Sequence, residues 1–235
     1  MKRFSRHSGA SSRHLARVVV LGVTVLACAA HERPDDLVRG DAACARADTF
    51  FRETFPRPVH MRGRATFDVD KYQFRGHFDL QLASNGDAVL EFSGSTLLGG
   101  HREDAVLSLS GDTLRVLDRE RGHYYEGDEV TAMVDDGTRV HGDWALALRR
   151  VLASGCAGID GVQPGETGMS GLCGDGPFSL KSRDGVLEAA TWPNPAPQET
   201  FRDRLEVRYR WKDRRLNGIE ASLPTRGWRV RLESD

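Results

Sequence analysis

Tyr72-Gln73-Phe74-Arg75-Gly76-His77-Phe78-Asp79-Leu80-Gln81-Leu82 decides how this chain folds. Its even positions are Tyr, Phe, Gly, Phe, Leu and Leu, and its odd positions are Gln, Arg, His, Asp and Gln. Successive side chains of a β-strand leave opposite faces of a sheet, so this period of two predicts a strand with one apolar and one wet face. The same alternation runs through Ala65, Phe67, Val69 and through Ala88, Leu90, Phe92, with the turn residues Asn85-Gly86-Asp87 before the latter. Gly111-Asp112, between Leu107/Leu109 and Leu114/Val116, predicts a further hairpin. His123 to Glu126 reads as a short strand. Later come Pro177 to Lys181 and Val186 to Thr191, then three strongly alternating runs: Leu205 to Trp211, Ile219 to Leu223 and Trp228 to Leu232. Trp192 to Pro197, with its prolines, reads as a connecting loop.

Two regions change period. Asp41 to Phe55 predicts a helix with Asp41 as N-cap and Ala43, Ala47, Phe50, Phe51 and Phe55 on one side, ended by Pro56 and Pro58. Gly127 to Asp136 and Val140 to Ser154, the latter with Trp144, Leu148, Val151 and Leu152, predict helices as well. The expected fold is mainly β with α, an open antiparallel half β-barrel of about eleven strands covered by a few helices. The domain expected is 58–235 with a helical insertion over about 127–154, preceded by a tether and short helix over 28–57.

The N-terminus reads as an export signal over residues 1–27. Lys2, Arg3, Arg6, Arg13 and Arg17 make it basic, and Val18 to Ala27 is apolar apart from Thr24. Such a run is too short to cross roughly 30 Å of hydrocarbon as a helix. It closes on Val25-Leu26-Ala27-Cys28, which resembles the lipobox of bacterial lipoproteins. That likeness implies cleavage before Cys28, its lipidation and a membrane anchor. Ala29 stands where an aspartate would signal inner-membrane retention, so the expected place is the periplasmic face of the outer membrane. The polar stretch from Glu32 to Asp41 reads as the tether between lipid and domain.

Beyond the signal, 28 basic side chains face 34 acidic ones, and this net negative charge argues against nucleic acid as a partner. In an oxidising compartment the remaining cysteines are expected to pair. Cys156 with Cys173, around a glycine-rich stretch read as a loop, would close about 16 residues and contribute about 3 kcal/mol. Cys44 bonded to either is the alternative. Cys-x-x-Cys or Cys-x-x-His spacing for a metal is missing, and so are a Gly-x-Ser-x-Gly elbow, a His-Glu-x-x-His motif, a Walker loop and a dinucleotide fingerprint. Asp118, Glu120 and Glu126 form a carboxylate group, but Arg119 and Arg121 beside them predict surface ion pairs. No enzyme, cofactor or metal is expected.

Four stretches carry a family likeness: Arg75-Gly76-His77-Phe78 with Leu80, Leu97-Leu98-Gly99, Tyr124 to Val134 followed by Trp144 to Leu152, and Ile219 to Leu232. Together they resemble the LolA/LolB-like half-barrels, most nearly the outer-membrane lipoprotein receptor LolB type. The likeness covers roughly Arg62 to Leu152 and Leu205 to Leu232. It implies a carrier of lipoprotein acyl chains or another apolar ligand, with a periplasmic carrier protein as partner. It places Leu97 and Leu98 in a loop that helps pass lipoproteins to the membrane, although Thr96 stands where the family often has proline. Independently of the family, the apolar faces of the strands predict a trough lined by Phe67, Phe74, Phe78, Leu90, Phe92, Leu107, Val207, Tyr209 and Val230. If helices fill that trough it is a core, and the chain is then expected to be a structural or interaction lipoprotein of the envelope.

Overall fold

The computed structural model describes residues 37–69, 72–96, 102–127, 132–133, 139–140, 144–174, 176–193, 204–224 and 227–235. The expected signal segment, Cys28, Leu97 and Leu98 lie outside them. Leu37–Asp235 forms one compact unit.

A two-residue strand, a helix and a long strand open it: β1 (Val38–Arg39), α1 (Asp41–Thr54), then β2 (Val59–Val69). A meander continues through β3 (Tyr72–Leu82), β4 (Ala88–Thr96), β5 (Arg102–Ser110), β6 (Thr113–Asp118) and β7 (His123–Gly127). The miniature pair β8 (Ala132–Met133) and β9 (Arg139–Val140) precedes α2 (Trp144–Leu152). A second meander follows: β10 (Ile159–Gly165), β11 (Gly168–Cys173), β12 (Gly176–Arg183), β13 (Val186–Pro193), β14 (Arg204–Lys212), β15 (Arg215–Leu223) and β16 (Trp228–Ser234). The last strand returns to pair with β2, Leu232 opposite Ala65 and Val230 opposite Phe67. One open sheet of 14 strands results, running from β1 and β10 at one edge to β7 at the other, with every ladder antiparallel.

The expected class stands, and the strand count is larger for a physical reason. The glycine-rich stretch read as a loop is the hairpin β10–β11. A Cβ on Gly171 would lie 1.9 Å from the Gly161 carbonyl oxygen, so glycine lets these two strands meet and at the same time erases the apolar alternation. Val38 and Arg39, read as the end of a tether, pair with Val162 and Gly161 as an edge strand. The helix expected over Gly127 to Asp136 is not formed at its described positions, where β7 ends and Ala132 and Met133 pair with Val140 and Arg139. Trp192 and Pro193 belong to β13 rather than to a loop.

Gly40, with a φ of 64°, precedes α1, and no side chain caps it; Asp41 instead sits in the first turn, where a carboxylate complements the helix dipole. Ala43, Ala47, Phe51 and Phe55 turn to the sheet, and Phe55 packs edge-on to Tyr209 and Trp211, with ring centroids 5.4 and 5.2 Å apart. A disulfide joins Cys44 of α1 to Cys156, just beyond α2, with their Cα atoms 5.1 Å apart. The expected Cys156–Cys173 bond is therefore not made. Cys173 is a buried thiol on β11, opposite Ile159, and accepts from Arg150 Nη2 at 2.8 Å. The α2 helix lies against β5 and β6. Its end is held by Tyr209, whose hydroxyl donates to the carbonyls of Val151 at 2.9 Å and Arg150 at 3.3 Å, two acceptors a helix C-terminus leaves unpaired. Neither α1 nor α2 is long and apolar enough to cross a membrane.

Candidate apolar ligand site

Ladder register decides which side chains share a face. Phe67 stands opposite both Phe74 and Val230, Phe78 opposite Phe92, and Leu90 opposite Leu107. Val207 pairs with Ala221, itself opposite Val230, while Tyr209 pairs with Ile219. Directly paired residues of antiparallel strands project to the same side. All nine residues of the expected trough therefore lie on one face, the one that carries the core.

Burial divides them. Phe78, Leu90, Val207 and Tyr209 are core, beside Leu80, Leu82, Leu109 and Leu114 toward the Asn85 turn. Burial, opposed by the Arg57 charge, pushes the ionisation of Tyr209 far above the ordinary tyrosine value. Phe67, Phe92, Leu107 and Val230 are only half-buried, as are neighbouring Val116 and Leu223. Phe74 lies between the two groups at 9% exposure. Phe67, Phe74 and Phe92 form a triangle of rings, with centroids 4.6 Å apart for Phe74–Phe92, 4.7 Å for Phe67–Phe92 and 6.1 Å for Phe67–Phe74. A sheet residue with one face against neighbours and the other uncovered offers dispersion contact to whatever apolar group reaches it.

The triangle sits at the end of β3 and β4 away from the Asn85 turn, with Thr96, the last residue of β4, opposite Phe74. Leu97 and Leu98 follow Thr96 directly in the chain. Close approach is built into these strands: a Cβ on Gly76 would lie 2.2 Å from the Ser93 carbonyl oxygen, and Gly94 faces Gly76 in register. The exclusion of a side chain at both positions keeps β3 and β4 tight beside the rings.

Of the ionisable groups singled out in the sequence, Asp118 ends β6 on the face of Ala105 and Phe92, while the others lie on the wet side or in turns. His77 is exposed, and His60 and Arg62 both engage Asp79. Asp118 pairs with Arg121 at 2.9 Å, and Glu126 with Arg115 at 3.2 Å. Hydrogen bonds from Tyr124 and then Arg115 hold Glu126 below the usual carboxylate range. Such a group is ionised at neutral pH and unsuited to donating a proton. Cys44, Asp48 and Cys156 offer atoms within 4.8 Å of one another, but the two sulfurs are already spent on the disulfide.

No family model matches this chain, and neither does any curated protein. Among solved structures it is similar to a DUF1329 family protein from Desulfovibrio piger, with 9% identity, a TM-score of 0.47, and 82% of this chain and 88% of that one covered. It is also similar to a LolA-superfamily protein from Nitrosomonas europaea, with 12% identity, a TM-score of 0.36, and coverage of 84% and 92%. At these values the functional reading rests on this chain's own residues.

Proposed function

We propose that this chain is a non-enzymatic, lipid-anchored envelope protein that shelters acyl chains, those of lipoproteins or of another apolar ligand, against the uncovered part of its sheet. The ring triangle of half-buried Phe67 and Phe92 with Phe74, 9% exposed, carries this reading. Each methylene removed from water contributes about 0.8 kcal/mol, so six laid on the rings contribute about 5 kcal/mol. The lipobox-like Val25–Cys28 supports an anchor that keeps the site near a bilayer, and the Ala29 position supports the outer membrane. Leu97 and Leu98, next in the chain after the strand that bears Phe92, are the transfer loop of this reading, with a LolB-type place in lipoprotein localisation and a periplasmic carrier as partner.

Titration of the full chain with the fluorescent fatty acid 11-(dansylamino)undecanoic acid tests it. Saturable uptake is expected, weakened at least tenfold by Phe92→Ala and by Phe67→Ala and unchanged by Tyr124→Ala on the outer face. Uptake that does not saturate, or that ignores the triangle, overturns the reading.

One observation favours a structural or interaction module instead. Leu117, Tyr124 and Tyr125 are 39%, 56% and 45% exposed on β6 and the edge strand β7. Recovery of one stable protein partner, lost in Tyr124→Lys, with no fatty-acid uptake would favour that alternative.

A further inference from the structure

A second hollow, of about 540 Å³, lies at the other end of β3 from the phenylalanine triangle. Its walls come from the C-terminal half of α1, the Ser84-Asn85 turn and the segment from Ser154 to Ala157 after α2. The disulfide through Cys156 fixes two of those walls together. Three guanidinium groups line it, from Arg52, Arg57 and Arg149, against one carboxylate, Asp48.

Two of these arginines are costly where they stand. Arg149 is 12% exposed; its Nη1 donates to the Ser154 carbonyl at 3.3 Å, while its Nε reaches only the well-exposed Asp112 carboxylate, at 3.5 Å. Arg57 donates from Nη2 to the Ala153 carbonyl, and burial, opposed by Asp48, holds its guanidinium below the ordinary value. The Nε atoms of both are buried with no hydrogen-bond partner. Arg52 stands at the rim, donating to the Asp48 carbonyl at 3.3 Å and to Thr49 Oγ1 at 3.4 Å. The other acid facing Arg149 is Asp87, already engaged by Asn85 Nδ2 at 2.8 Å and the Gly111 amide at 3.3 Å.

A buried, incompletely bonded N–H needs a reason, and a buried cation without a full counter-charge needs one more. Planar guanidinium forks converging on a hollow match the oxygens of a phosphate group better than any neutral ligand. We infer that this hollow binds a phosphate ester, with Arg57 and Arg149 as its principal contacts and Arg52 at the entrance. The volume lies in the range of roughly 300–1,000 Å³ usual for small-molecule sites, which leaves room for an organic part beside the phosphate. The source is either a lipid headgroup or a soluble phosphate ester. The inference is independent of the acyl-chain reading, since it uses none of the same residues.

Calorimetric titration of the full chain with inorganic phosphate, with sn-glycerol 3-phosphate and with glycerol, at constant ionic strength, tests it. Saturable binding of both phosphates and none of glycerol is expected, weakened at least tenfold by Arg149→Gln and by Arg57→Gln. Ser84→Glu, on an exposed turn, keeps every arginine and sets a carboxylate at the rim. It is expected to weaken binding similarly even if the arginine variants fold poorly, while Arg183→Gln, outside the hollow, changes nothing. Glycerol 3-phosphate binding tenfold tighter than phosphate supports the ester. Co-sedimentation with phosphatidylglycerol vesicles then assigns a lipid headgroup and its absence a soluble ester, while equal binding of the two phosphates overturns the ester. Binding that does not saturate, or that is indifferent to Ser84→Glu and Arg149→Gln together, overturns the inference.

Discussion

Removal of the Cys44–Cys156 bond should be the most damaging two-atom change available to this fold. The cysteines stand 112 residues apart in sequence, and closing a loop of that length restricts the unfolded chain by about 5 kcal/mol in the entropic account. The Cys156–Cys173 loop expected from the sequence would contribute only about 3 kcal/mol. In the folded state the bond also clamps α1, whose Phe51 and Phe55 rest on Trp192, Tyr209 and Trp211. The double variant Cys44→Ala/Cys156→Ala is therefore expected to lose 4–5 kcal/mol, about 2 M in urea midpoint at a slope of about 2 kcal/mol/M. Tryptophan fluorescence reports the transition, because Trp192 is almost wholly buried beneath α1. Cys173→Ser should move the midpoint by less than about 0.5 M, since a hydroxyl there still accepts from Arg150. A Cys173 variant as unstable as the double variant, or a non-reducing peptide map that joins residues 156 and 173, would refute the reasoning.

Phe78→Ala, in the core, is expected to cost 3–5 kcal/mol, and half-buried Phe92→Ala about half as much; thermal unfolding checks the order, and an equal cost would mean the triangle is as covered as the core. Tyr209→Phe removes the hydroxyl that ends α2 and should cost about 1 kcal/mol at neutral pH. The folded tyrosine resists ionisation while the unfolded one does not, so its stabilisation is complete below about pH 10 and falls by about 1.4 kcal/mol per unit above it. The variant should show a shallower alkaline loss of Tm between pH 10 and 12, whereas parallel curves would remove Tyr209 from the account. Cys28→Ser is expected to leave the precursor unprocessed and, on metabolic labelling with palmitate, unlabelled. Normal maturation of that variant would place the cleavage elsewhere.

Much of the sheet could be read from side-chain alternation, and the misses share a cause. Tyr72 to Leu82 forms a strand with those very ends, and β14 and β16 begin at or beside Leu205 and Trp228, while β15 begins at Arg215, four residues before the alternation at Ile219. Alternation fails where packing forbids a side chain. In β11 the position opposite buried Val162 is Gly171, held small by the Gly161 carbonyl. Strand β1 is too short for any period, and Ala132 with Met133 reads equally as one turn of helix. Apolar alternation placed the nine residues on one face of the sheet, yet not which of them are core, because coverage depends on where α1 and α2 land. The arginine hollow left no local signal at all. Arg149 and Arg150 read as ordinary basic residues at a helix end, and Arg57 lies 92 residues earlier between two prolines.

The two meanders explain why coverage is uneven. Strands β2 to β7 and β10 to β16 are each made of local hairpins, and they are joined into one sheet by the pairing of β16 with β2. The helices are attached elsewhere. A disulfide and an edge strand hold α1 on the β10–β13 side, while α2 lies against β5 and β6 with its end fastened by Tyr209. The seam itself, where Val230, Phe67 and Phe74 stand in register, is not among the main packing partners of either helix. Leaving aromatic surface open to water at a seam forgoes about 25 cal/mol for every Å² not buried. A single Phe67→Ser or Phe92→Ser would reduce that exposure, at about half the packing cost expected for Phe78. The three phenylalanines there, squeezed together by the Gly76–Gly94 approach, are the feature on which the proposed acyl-chain reading rests.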